Sequence, residues 1–593
     1  MSEYQAPLED MQFVINELAG LDTLAKFPGY EEATPDMLEA ILEQAGILAS
    51  EVFSPLNYPG NEHGTFVENG KVVSPPGFKD AYQQFVENGW QGIDQPVEFG
   101  GQGLPYVVAT ATAEMWYSAN MALALCPLLT SGAIEAIYRH ANEALKNRYL
   151  QKIIAGEWSG TMNLTEPQAG TDLAAVRTRA EPENDHYRIS GQKIFITWGE
   201  HEMSDNIVHL VLARLPDAPE GVKGISLFLV PKYLPNDDGS PGERNDLKVV
   251  SVESKLGIHA SPTCVMSYGD EGGAIGYLVG EANNGLACMF TMMNHARLEV
   301  GMQGVGIAER AYQRALLYAK ERVQGNEPGI AGRVTIIHHP DVRRMLMQMR
   351  SLTEAGRALA YISAGEYDRA HKASTEKQRA KHQRRVDLLT PVAKAWSTEM
   401  SQEVTSLGVQ IHGGMGFIEE TGAAQHMRDA RILTIYEGTT GIQGLDLMGR
   451  KIMRDKGMAL AELITDLNLV NSELESEGVD LAAITGPFAM ALKTLEDVSH
   501  WFLQEAADDP DLAGAISVNY LMLLGNVVCG WLMAKSAVVA KQRMDAGSND
   551  EFYRNKIKTA KFFAEHILPR SEALKYAVRA GSGSVMSIAI DNF

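Results

Sequence analysis

Cysteine is scarce in this chain, and basic residues are outnumbered by acidic ones. Only four of the 593 residues are cysteines, namely Cys126, Cys264, Cys288 and Cys529, and none stand at CxxC spacing. This pattern predicts reduced thiols in a cytoplasmic protein rather than a disulfide framework, and we expect no metal site. The formal net charge of −23 disfavours binding to nucleic acid or to anionic lipid.

Long apolar runs are missing too. No segment holds about 18 consecutive apolar residues, so we expect no transmembrane segment. The opening residues MSEYQAPLEDMQF lack the basic and apolar regions of a secretion signal, which favours a cytoplasmic location. The length predicts several domains, because single cores stop growing at roughly 250–300 residues.

Hydrophobic periodicity divides the chain into four regions. Helical spacing predicts a helical domain over residues 1–158, and short alternating runs predict a β domain over 159–280. Helical spacing returns in a predicted bundle over 281–455. The acidic stretch ITDLNLVNSELESEGVD is interpreted as a linker, and residues 465–593 as a further helical domain. The fold class is therefore mostly α with a central β domain.

Two segments of the predicted β domain place hydroxyls near small or aromatic residues. In TEPQAGTD, Thr165 and Thr171 offer hydroxyls next to glycine, which lets backbone amides approach a flat or phosphorylated ligand. In GQKIFIT, strand alternation puts Phe195 and Thr197 on one face, where both could meet a planar ligand. Each segment alone fits an ordinary turn or a buried strand equally well.

Two further segments lie in the predicted bundle. QIHGGMGF, beginning at Gln410, brings glycine amides close enough to reach a pyrophosphate, but it lacks the strand and acidic residue of a Rossmann unit. In IYEGTTGIQ, Glu437 stands among Ile435, Tyr436 and Ile442, where poor solvation would raise its pKa and make it a better base. A surface carboxylate before a turn is the ordinary alternative.

Together, TEPQAGTD, GQKIFIT, QIHGGMGF, RDAR and IYEGTTGIQ resemble the acyl-CoA dehydrogenase family in order and approximate spacing over about residues 35–455. The chain is most similar to the long bacterial branch that includes 3-methylmercaptopropionyl-CoA dehydrogenases. The resemblance implies a helical domain, a β-barrel-like domain and a four-helix bundle, followed here by an extra C-terminal helical domain. It also implies bound FAD and an acyl-CoA substrate, either 3-methylmercaptopropionyl-CoA or a straight-chain fatty acyl-CoA.

The resemblance also assigns residues to the cofactor and to the substrate. The implied FAD-binding residues are Thr165, Phe195, Thr197, Arg322, Gln410, Gly413, Gly414, Thr439 and Gln443. Those implied for the substrate are Thr171, Arg297 and Gly438. Two neighbouring positions, Gln324 and Gly441, depart from the residues common in the family, which puts those contacts in doubt.

For the chemistry, the resemblance implies that Glu437 removes the α-proton while the β-hydrogen leaves as hydride to flavin N5, giving the trans-2-enoyl-CoA. Some relatives carry the base just before the arginine equivalent to Arg297. That position is Ala296 here, which cannot accept a proton. The nearby Glu299 should point away from it on a helix.

Two rival functions share this scaffold. An acyl-CoA oxidase would use the same base but pass electrons to oxygen, whereas the resemblance favours an electron-transfer flavoprotein as the acceptor. A DNA-associated flavoprotein of the alkylation-response branch is disfavoured, because residues 451–593 hold 14 Lys+Arg against 19 Asp+Glu, a balance of 14 − 19 = −5. The extra C-terminal domain predicts a homodimer, since it would cover the surface on which shorter relatives pair their dimers.

Overall fold

The computed structural model describes residues 4–593, which form two compact units. The β unit consists of residues 45–104 and 119–296, and the helical unit of residues 4–44, 105–118 and 297–593. The helices are α1 Leu8–Phe13, α2 Leu21–Leu24, α3 Pro35–Leu48, α4 Asn57–His63, α5 Phe78–Glu87, α6 Tyr106–His140, α7 Glu143–Ile154, α8 Gly285–Glu321, α9 Pro340–Lys372, α10 Glu376–His412, α11 Ala423–Arg431, α12 Thr440–Leu445, α13 Met458–Ser476, α14 Ala482–Glu505, α15 Leu512–Asp545, α16 Glu551–His566 and α17 Arg570–Arg579. The strands are β1 Phe66–Glu68, β2 Lys71–Val73, β3 Trp158–Asn163, β4 Arg179–Glu183, β5 His186–Thr197, β6 Asn206–Arg214, β7 Ile225–Pro231, β8 Tyr233–Pro235, β9 Pro241–Arg244, β10 Leu247–Val252, β11 Thr263–Tyr268 and β12 Ala274–Val279.

The β unit is built around one large sheet. Its strands run in the order β10-β11-β5-β12-β7-β6-β3, and β4 pairs with both β5 and β6. Because β4 joins those two strands, β5, β12, β7, β6 and β4 form a closed circuit. Ile189, Val211 and Phe228 are among the fully buried residues that pack together in its core. Closure of this kind hides strand edges from unwanted pairing.

A short hairpin of β1 and β2 interrupts the first helical region, and the sequence analysis did not predict it. Asn69 and Gly70 form its turn, both with positive φ, 52° and 74°. An Asn-Gly pair between short apolar runs is a strong hairpin signal, because both positions of a type I′ turn need positive φ. The signal was therefore present in the segment FVENGKVV.

Close helix contacts organise the helical unit around α10. A Cβ on Gly301 or Gly304 of α8 would lie 2.8 Å from Ala393 O or 2.6 Å from Ser397 O, so α8 needs glycine to approach the α10 backbone. On another side, Trp396 of α10 donates through Nε1 to Asn526 Oδ1 of α15 at 2.9 Å. The C-terminal helix α15 thus packs directly on α10.

Buried ion pairs also tie the C-terminal region to the rest of the helical unit. Lys556 of α16 is buried and contacts both Asp10 and Glu354, the latter at 2.8 Å from Nζ to Oε2. Arg357 of α9 is buried among Asp10, Glu114 and Glu309. Because removing one member of a buried pair leaves an uncompensated charge, these contacts fix α16 against α9.

The predicted acidic linker is wrong. Residues 458–476 form α13, whose Leu460, Leu463, Leu467, Val470 and Leu474 are buried. Their spacing of three and four residues is that of one helix face. The acidic residues between them lie on the other faces and obscured the pattern. The other helices and strands confirm the predicted fold class, which is mostly α with a central barrel-like β domain and extra C-terminal helices.

Two helices are long and apolar enough to cross a membrane by length and composition alone. They are α6 and α15, and most of each apolar stretch is buried in protein. Core helices of soluble proteins meet the same criterion, so this is weak support for a membrane span. The absence of a transmembrane segment stays a prediction.

Candidate active site

The two hydroxyl-bearing segments of the β unit are hydrogen-bonded to each other. Ile194 N donates to Thr165 O at 2.9 Å, and Thr161 Oγ1 donates to Thr197 O at 2.8 Å. The end of β3 and the end of β5 are therefore adjacent, although some thirty residues separate them in sequence. Both Thr165 and Thr197 are half-buried. The structure thus brings together two of the predicted cofactor-binding threonines.

A buried ion pair holds this pair of segments, and the sequence analysis did not find it. Lys193 Nζ donates to Leu164 O at 3.0 Å and to Glu166 Oε1 at 2.8 Å. Glu166 also accepts bonds from Thr178 Oγ1 and from the Arg177 and Thr178 amides. Burial opposes ionisation of Glu166, but Lys193 and these donors outweigh it and lower its pKa to about 2. Burial lowers the pKa of Lys193 to about 8, against the attraction of Glu166.

Phe195 lies in a bulge of β5 that strand alternation does not predict. Between the pairs Met266↔Lys193 and Cys264↔Ile196 the register shifts, and Phe195 takes a φ of 59°. A positive φ is costly for an aromatic residue and marks local strain. The Phe195 side chain is 58% exposed, so its ring is available to a planar ligand. The bulge, rather than regular alternation, aims this side chain.

The predicted substrate residue Thr171 is exposed beyond this loop. Asp172 next to it caps a short helical turn by accepting from Ala174 N at 3.0 Å. A Cβ on the preceding Gly170 would meet no atom within 4 Å. The chain's own packing therefore gives no reason for glycine there, whereas close approach of a ligand would give one.

In the helical unit, Glu437 stands in a left-handed turn that joins α11 to α12. Its φ is 56°, and Gly438 follows with a φ of 93°. A Cβ on Gly438 would lie 2.6 Å from Gln443 Nε2, so the turn requires glycine at this position. Thr439 then caps α12 by accepting from Ile442 N at 3.3 Å. A left-handed φ at a residue such as glutamate costs about 1–3 kcal/mol and is typical of functional sites.

Opposing effects act on the Glu437 carboxyl. Burial raises its pKa, while the positive charges of Arg297 and Lys394 lower it, and burial prevails. Ile435, which was predicted to help enclose the carboxylate, is itself 47% exposed. A carboxylate with a raised pKa beside two cations is equipped to exchange a proton.

Two residues predicted to contact ligands, Gln443 and Arg297, are buried, and their ligand contacts stay predictions. Gln443, expected to contact the cofactor, is fully buried and donates through Nε2 to Glu437 O at 3.2 Å. Arg297, expected to contact CoA, is 5% exposed, with Nη1 3.8 Å from Asp446 Oδ2. Gln443 thus contacts the turn that carries Glu437, and the ion-pair partner Asp446 of Arg297 lies after α12.

Glu299, the other acidic residue near Arg297 in sequence, is held by hydrogen bonds within the protein. Its carboxylate is buried and accepts bonds from Tyr106 OH and Tyr117 OH, each at 2.7 Å. With both oxygens engaged, it is poorly placed to take a proton from a substrate. The choice of Glu437 as the base stays a prediction.

The QIHGGMGF segment ends α10. Gln410, Gly413 and Gly414 are exposed, and a Cβ on either glycine would meet no atom within 4 Å. Gly413 needs glycine for its φ of 60°, but Gly414 has no internal reason to be glycine. His412 donates through Nδ1 to Gly408 O at 2.7 Å and stacks on Tyr318, which is a structural role. Arg322, just past α8, is exposed.

Two residues of helices α8 and α10 contact the Glu437 segment and were missed from sequence. Lys394 Nζ donates to Leu433 O at 2.7 Å and Gly438 O at 2.8 Å. Tyr436 OH donates to Gln303 Oε1. No linear motif marks such contacts, because they depend on which helices pack together. The only signal available in the sequence was the lysine within the largely apolar helical run TPVAKAW.

Comparison with known proteins assigns the family. Three models of the acyl-CoA dehydrogenase family match, the N-terminal domain over residues 68–157, the middle domain over 161–270 and the C-terminal domain over 283–452. A fourth, described as acetyl-CoA dehydrogenase C-terminal like, matches residues 461–589. The chain thus has the fold and motifs of this class of oxidoreductase along most of its length.

Individual relatives agree. The chain is 50% identical to the 3-methylmercaptopropionyl-CoA dehydrogenase of Ruegeria pomeroyi, over 96% of this chain and 97% of that one. It is 34% identical to the broad-specificity linear acyl-CoA dehydrogenase FadE5 of Mycobacterium tuberculosis, over 99% of each chain. An acyl-CoA dehydrogenase from Bacillus anthracis, solved in complex with FAD, shares the fold with a TM-score of 0.74, 23% identity, and coverage of 94% of this chain and 90% of that one. The chain belongs to the acyl-CoA dehydrogenase family.

Proposed function

We propose that this protein is an FAD-dependent dehydrogenase that converts an acyl-CoA thioester into its trans-2-enoyl-CoA, with Glu437 as the base. The observation that carries the proposal is the setting of Glu437. It combines a left-handed turn, a raised pKa, and two cations that favour its ionised form. A group of this kind removes a weakly acidic proton only where developing charge on the substrate is stabilised as well.

The residues of the turn suit that task. Glu437 would accept the α-proton at its carboxylate, and its backbone N–H would donate to the thioester oxygen. Gly438 lets the turn adopt its left-handed backbone, because a Cβ there would lie 2.6 Å from Gln443 Nε2. Gln443 donates to the Glu437 carbonyl and so holds the peptide between Glu437 and Gly438, directly after the amide that would donate. FAD, when bound, supplies the acceptor at N5 for the hydride that leaves Cβ.

The exposure and chemistry of the proposed cofactor-binding residues, taken within each unit, support the assignment of FAD as the cofactor. Thr165 and Thr197 offer hydroxyls, and the exposed Phe195 ring offers a flat apolar surface. The open positions at Gly413 and Gly414 and the exposed Arg322 suit the adenosine diphosphate part, with Thr439 also nearby in the family pattern. Purified protein should therefore be yellow and release FAD on denaturation. FMN should not restore activity to protein stripped of its cofactor.

For the substrate, we propose 3-methylmercaptopropionyl-CoA or a straight-chain fatty acyl-CoA, with Thr171 contacting the CoA part. The relative that is 50% identical bears the first name, and FadE5 bears a name for linear substrates. Initial rates of anaerobic flavin reduction with methylthiopropionyl-, butyryl-, octanoyl- and palmitoyl-CoA would rank them. No reduction by any acyl-CoA would contradict the proposed reaction.

We propose an electron-transfer flavoprotein as the electron acceptor. An oxidase would differ by rapid reaction with oxygen, so the reduced protein should be mixed with air and its reoxidation timed. Slow reoxidation in air, with fast reoxidation by an electron-transfer flavoprotein, is the expected result. Fast reoxidation by oxygen alone would identify an oxidase.

We also propose a homodimer. The C-terminal helices pack on the bundle within one unit, as α15 on α10 and α16 on α9 illustrate. By family resemblance they would cover the surface on which shorter relatives join two dimers. Light scattering should give the mass of two chains over a range of dilutions. A stable mass of one chain or of four would contradict the dimer.

A further inference from the structure

Lys394, on α10, bonds to the backbone before and after Glu437. The side chain is fully buried, and its Nζ donates to Leu433 O at 2.7 Å and to Gly438 O at 2.8 Å. These two carbonyls lie on either side of Glu437 in sequence. One ammonium group therefore ties the short helical turn after α11 to the residue that follows the proposed base.

The turn needs this support. Glu437 has a φ of 56°, which is unfavourable for a residue with a side chain and persists only where the surroundings hold it. The carbonyls of Glu437 and Gly438 each accept a bond from a buried side chain, Gln443 and Lys394 respectively. Each bond fixes one peptide plane. Together they hold the two peptides that follow the Cα of Glu437.

Charge gives Lys394 a second effect. Its hydrogen bonds go to carbonyls, which carry no net charge. The positive charge of its ammonium group is therefore balanced by carboxylates to which it is not hydrogen-bonded. Burial lowers the pKa of Lys394 to about 8, opposed first by Glu437 and less by Glu399. In return, Lys394 and Arg297 both lower the pKa of Glu437 against the effect of burial.

Other charged and titratable groups complete the surroundings. Arg297 of α8 faces Glu437 and Asp446, with Arg450 opposing it. Tyr436, next to the base, has its pKa raised first by burial and then by Glu437. Only Arg297 and Lys394 bring positive charge to act on the Glu437 carboxyl among the influences on its pKa. Lys394 also donates hydrogen bonds to the backbone on either side of Glu437.

We infer that Lys394 is a positioning residue for the dehydrogenation: it holds the backbone on both sides of Glu437 and supplies buried positive charge that keeps Glu437 ionised. The inference rests on the proposed role of Glu437 as the base. It assigns to Lys394 two separable effects, one on geometry and one on charge. Substitutions that keep or remove the charge therefore distinguish them.

The test is the pH dependence of anaerobic flavin reduction by an acyl-CoA in the FAD-loaded protein. Lys394→Met and Lys394→Gln remove the charge, so the pKa of Glu437 should rise. Activity requires the ionised base, so the acid limb of the profile should move to higher pH by about one unit. That equals about tenfold lower activity on the acid side. Lys394→Arg keeps the charge and should leave the acid limb in place, even if the altered geometry lowers the plateau.

Lys535→Met is the matched control. Lys535 of α15 is a half-buried lysine whose Nζ also donates to a backbone carbonyl, Leu18 O at 3.3 Å. The charges that act on it do not include Glu437. Its profile should overlay that of the wild type. This control separates the loss of any partly buried lysine from the loss of this one.

Several outcomes would overturn the inference. Folded, FAD-loaded Lys394→Gln with an unmoved acid limb would show that the charge has no such role, whatever its plateau rate. An equal shift in Lys394→Gln and Lys394→Arg would do the same. If Lys394→Met does not fold, the Gln and Arg pair still decides. Normal reduction by Glu437→Gln would instead contradict the proposed function, whereas an inactive Glu437→Gln with an unmoved Lys394→Gln profile contradicts only this inference.

Discussion

Two buried lysines, one in each unit, hold loops that the family pattern assigns to function, but they are neutralised differently. Lys193 and Lys394 are both fully buried, and burial lowers the pKa of each to about 8. Lys193 is paired directly with Glu166 at 2.8 Å, whereas Lys394 bonds only to carbonyls. In the first arrangement, the charge of Lys193 is neutralised by its direct partner, and the pair has a structural role. The second leaves its charge to act on Glu437, so support and chemistry are coupled there.

The largest effect on stability should come from Lys193→Met. The substitution leaves Glu166 buried without its partner, which costs about 3–5 kcal/mol. For a unit of this size that corresponds to a fall in melting temperature on the order of 10 °C. Thermal release of bound flavin, followed by fluorescence, measures it. FAD should also bind more weakly, since Lys193 holds the loop of Thr165.

An exposed pair in the same unit provides the control. Lys71 Nζ lies 2.6 Å from Glu202 Oε1, and both side chains are more than half exposed. Because exposed pairs contribute little, Lys71→Met should melt with the wild type. A Lys193→Met protein that also melts with the wild type would show that the buried pair does not hold the loop.

Removing both partners should sharpen the contrast between the lysines. In Glu166→Gln with Lys193→Met, the uncompensated charge is gone, so about half of the lost stability should return. Recovery stays incomplete, because one side of the new amide faces the donor Arg177 N. In Lys394→Met with Glu437→Gln, no activity should return, because the base is lost. Melting curves of the β-unit double variant and its two single variants, and reduction rates of the other double variant and its two single variants, test this. Losses of stability from Glu166→Gln and Lys193→Met that add fully in the double variant would contradict it.

Lowering the pH should reduce the stability of the β unit, because Glu166 becomes protonated. Its pKa is lowered from 4.5 to about 2 in the folded protein. A carboxyl with a lowered pKa stabilises the fold above its ordinary pKa and loses that contribution as pH falls towards the lowered one. The difference in melting temperature between wild type and Glu166→Gln should therefore shrink from pH 4.5 towards pH 2. A constant difference over that range would contradict the pairing.

The smallest effect should come from Thr440→Val. Thr440 Oγ1 donates to Glu399 Oε1 at 2.6 Å, a second link between α10 and the segment after Glu437. Glu399 is half-exposed and water replaces the lost donor, so the cost should be about 1 kcal/mol. The rate of flavin reduction should fall less than about tenfold. A hundredfold loss would mean that this link, rather than Lys394, controls the turn.

The sequence predicts the architecture and the candidate base, but not their support. Periodicity and the five motifs indicated the β domain, the bundle and Glu437, because repeated apolar spacing and local motifs are linear features. Lys193, Lys394 and Gln303 were missed, since their partners are distant in sequence and depend on helix and strand packing. Gln443 and Arg297 were assigned to ligands by family pattern, whereas the fold turns both inward. The bulge at Phe195 likewise depends on the register of β11 against β5.

The most direct test of the central claim compares Glu437→Gln with Glu299→Gln. Both residues are glutamates of the helical unit, but Glu299 is held by Tyr106 and Tyr117. Rapid mixing of each FAD-loaded protein with an acyl-CoA under anaerobic conditions measures flavin reduction. We predict a loss of at least about 10³-fold for Glu437→Gln and less than about tenfold for Glu299→Gln. Near-normal reduction by Glu437→Gln would show that another group removes the α-proton.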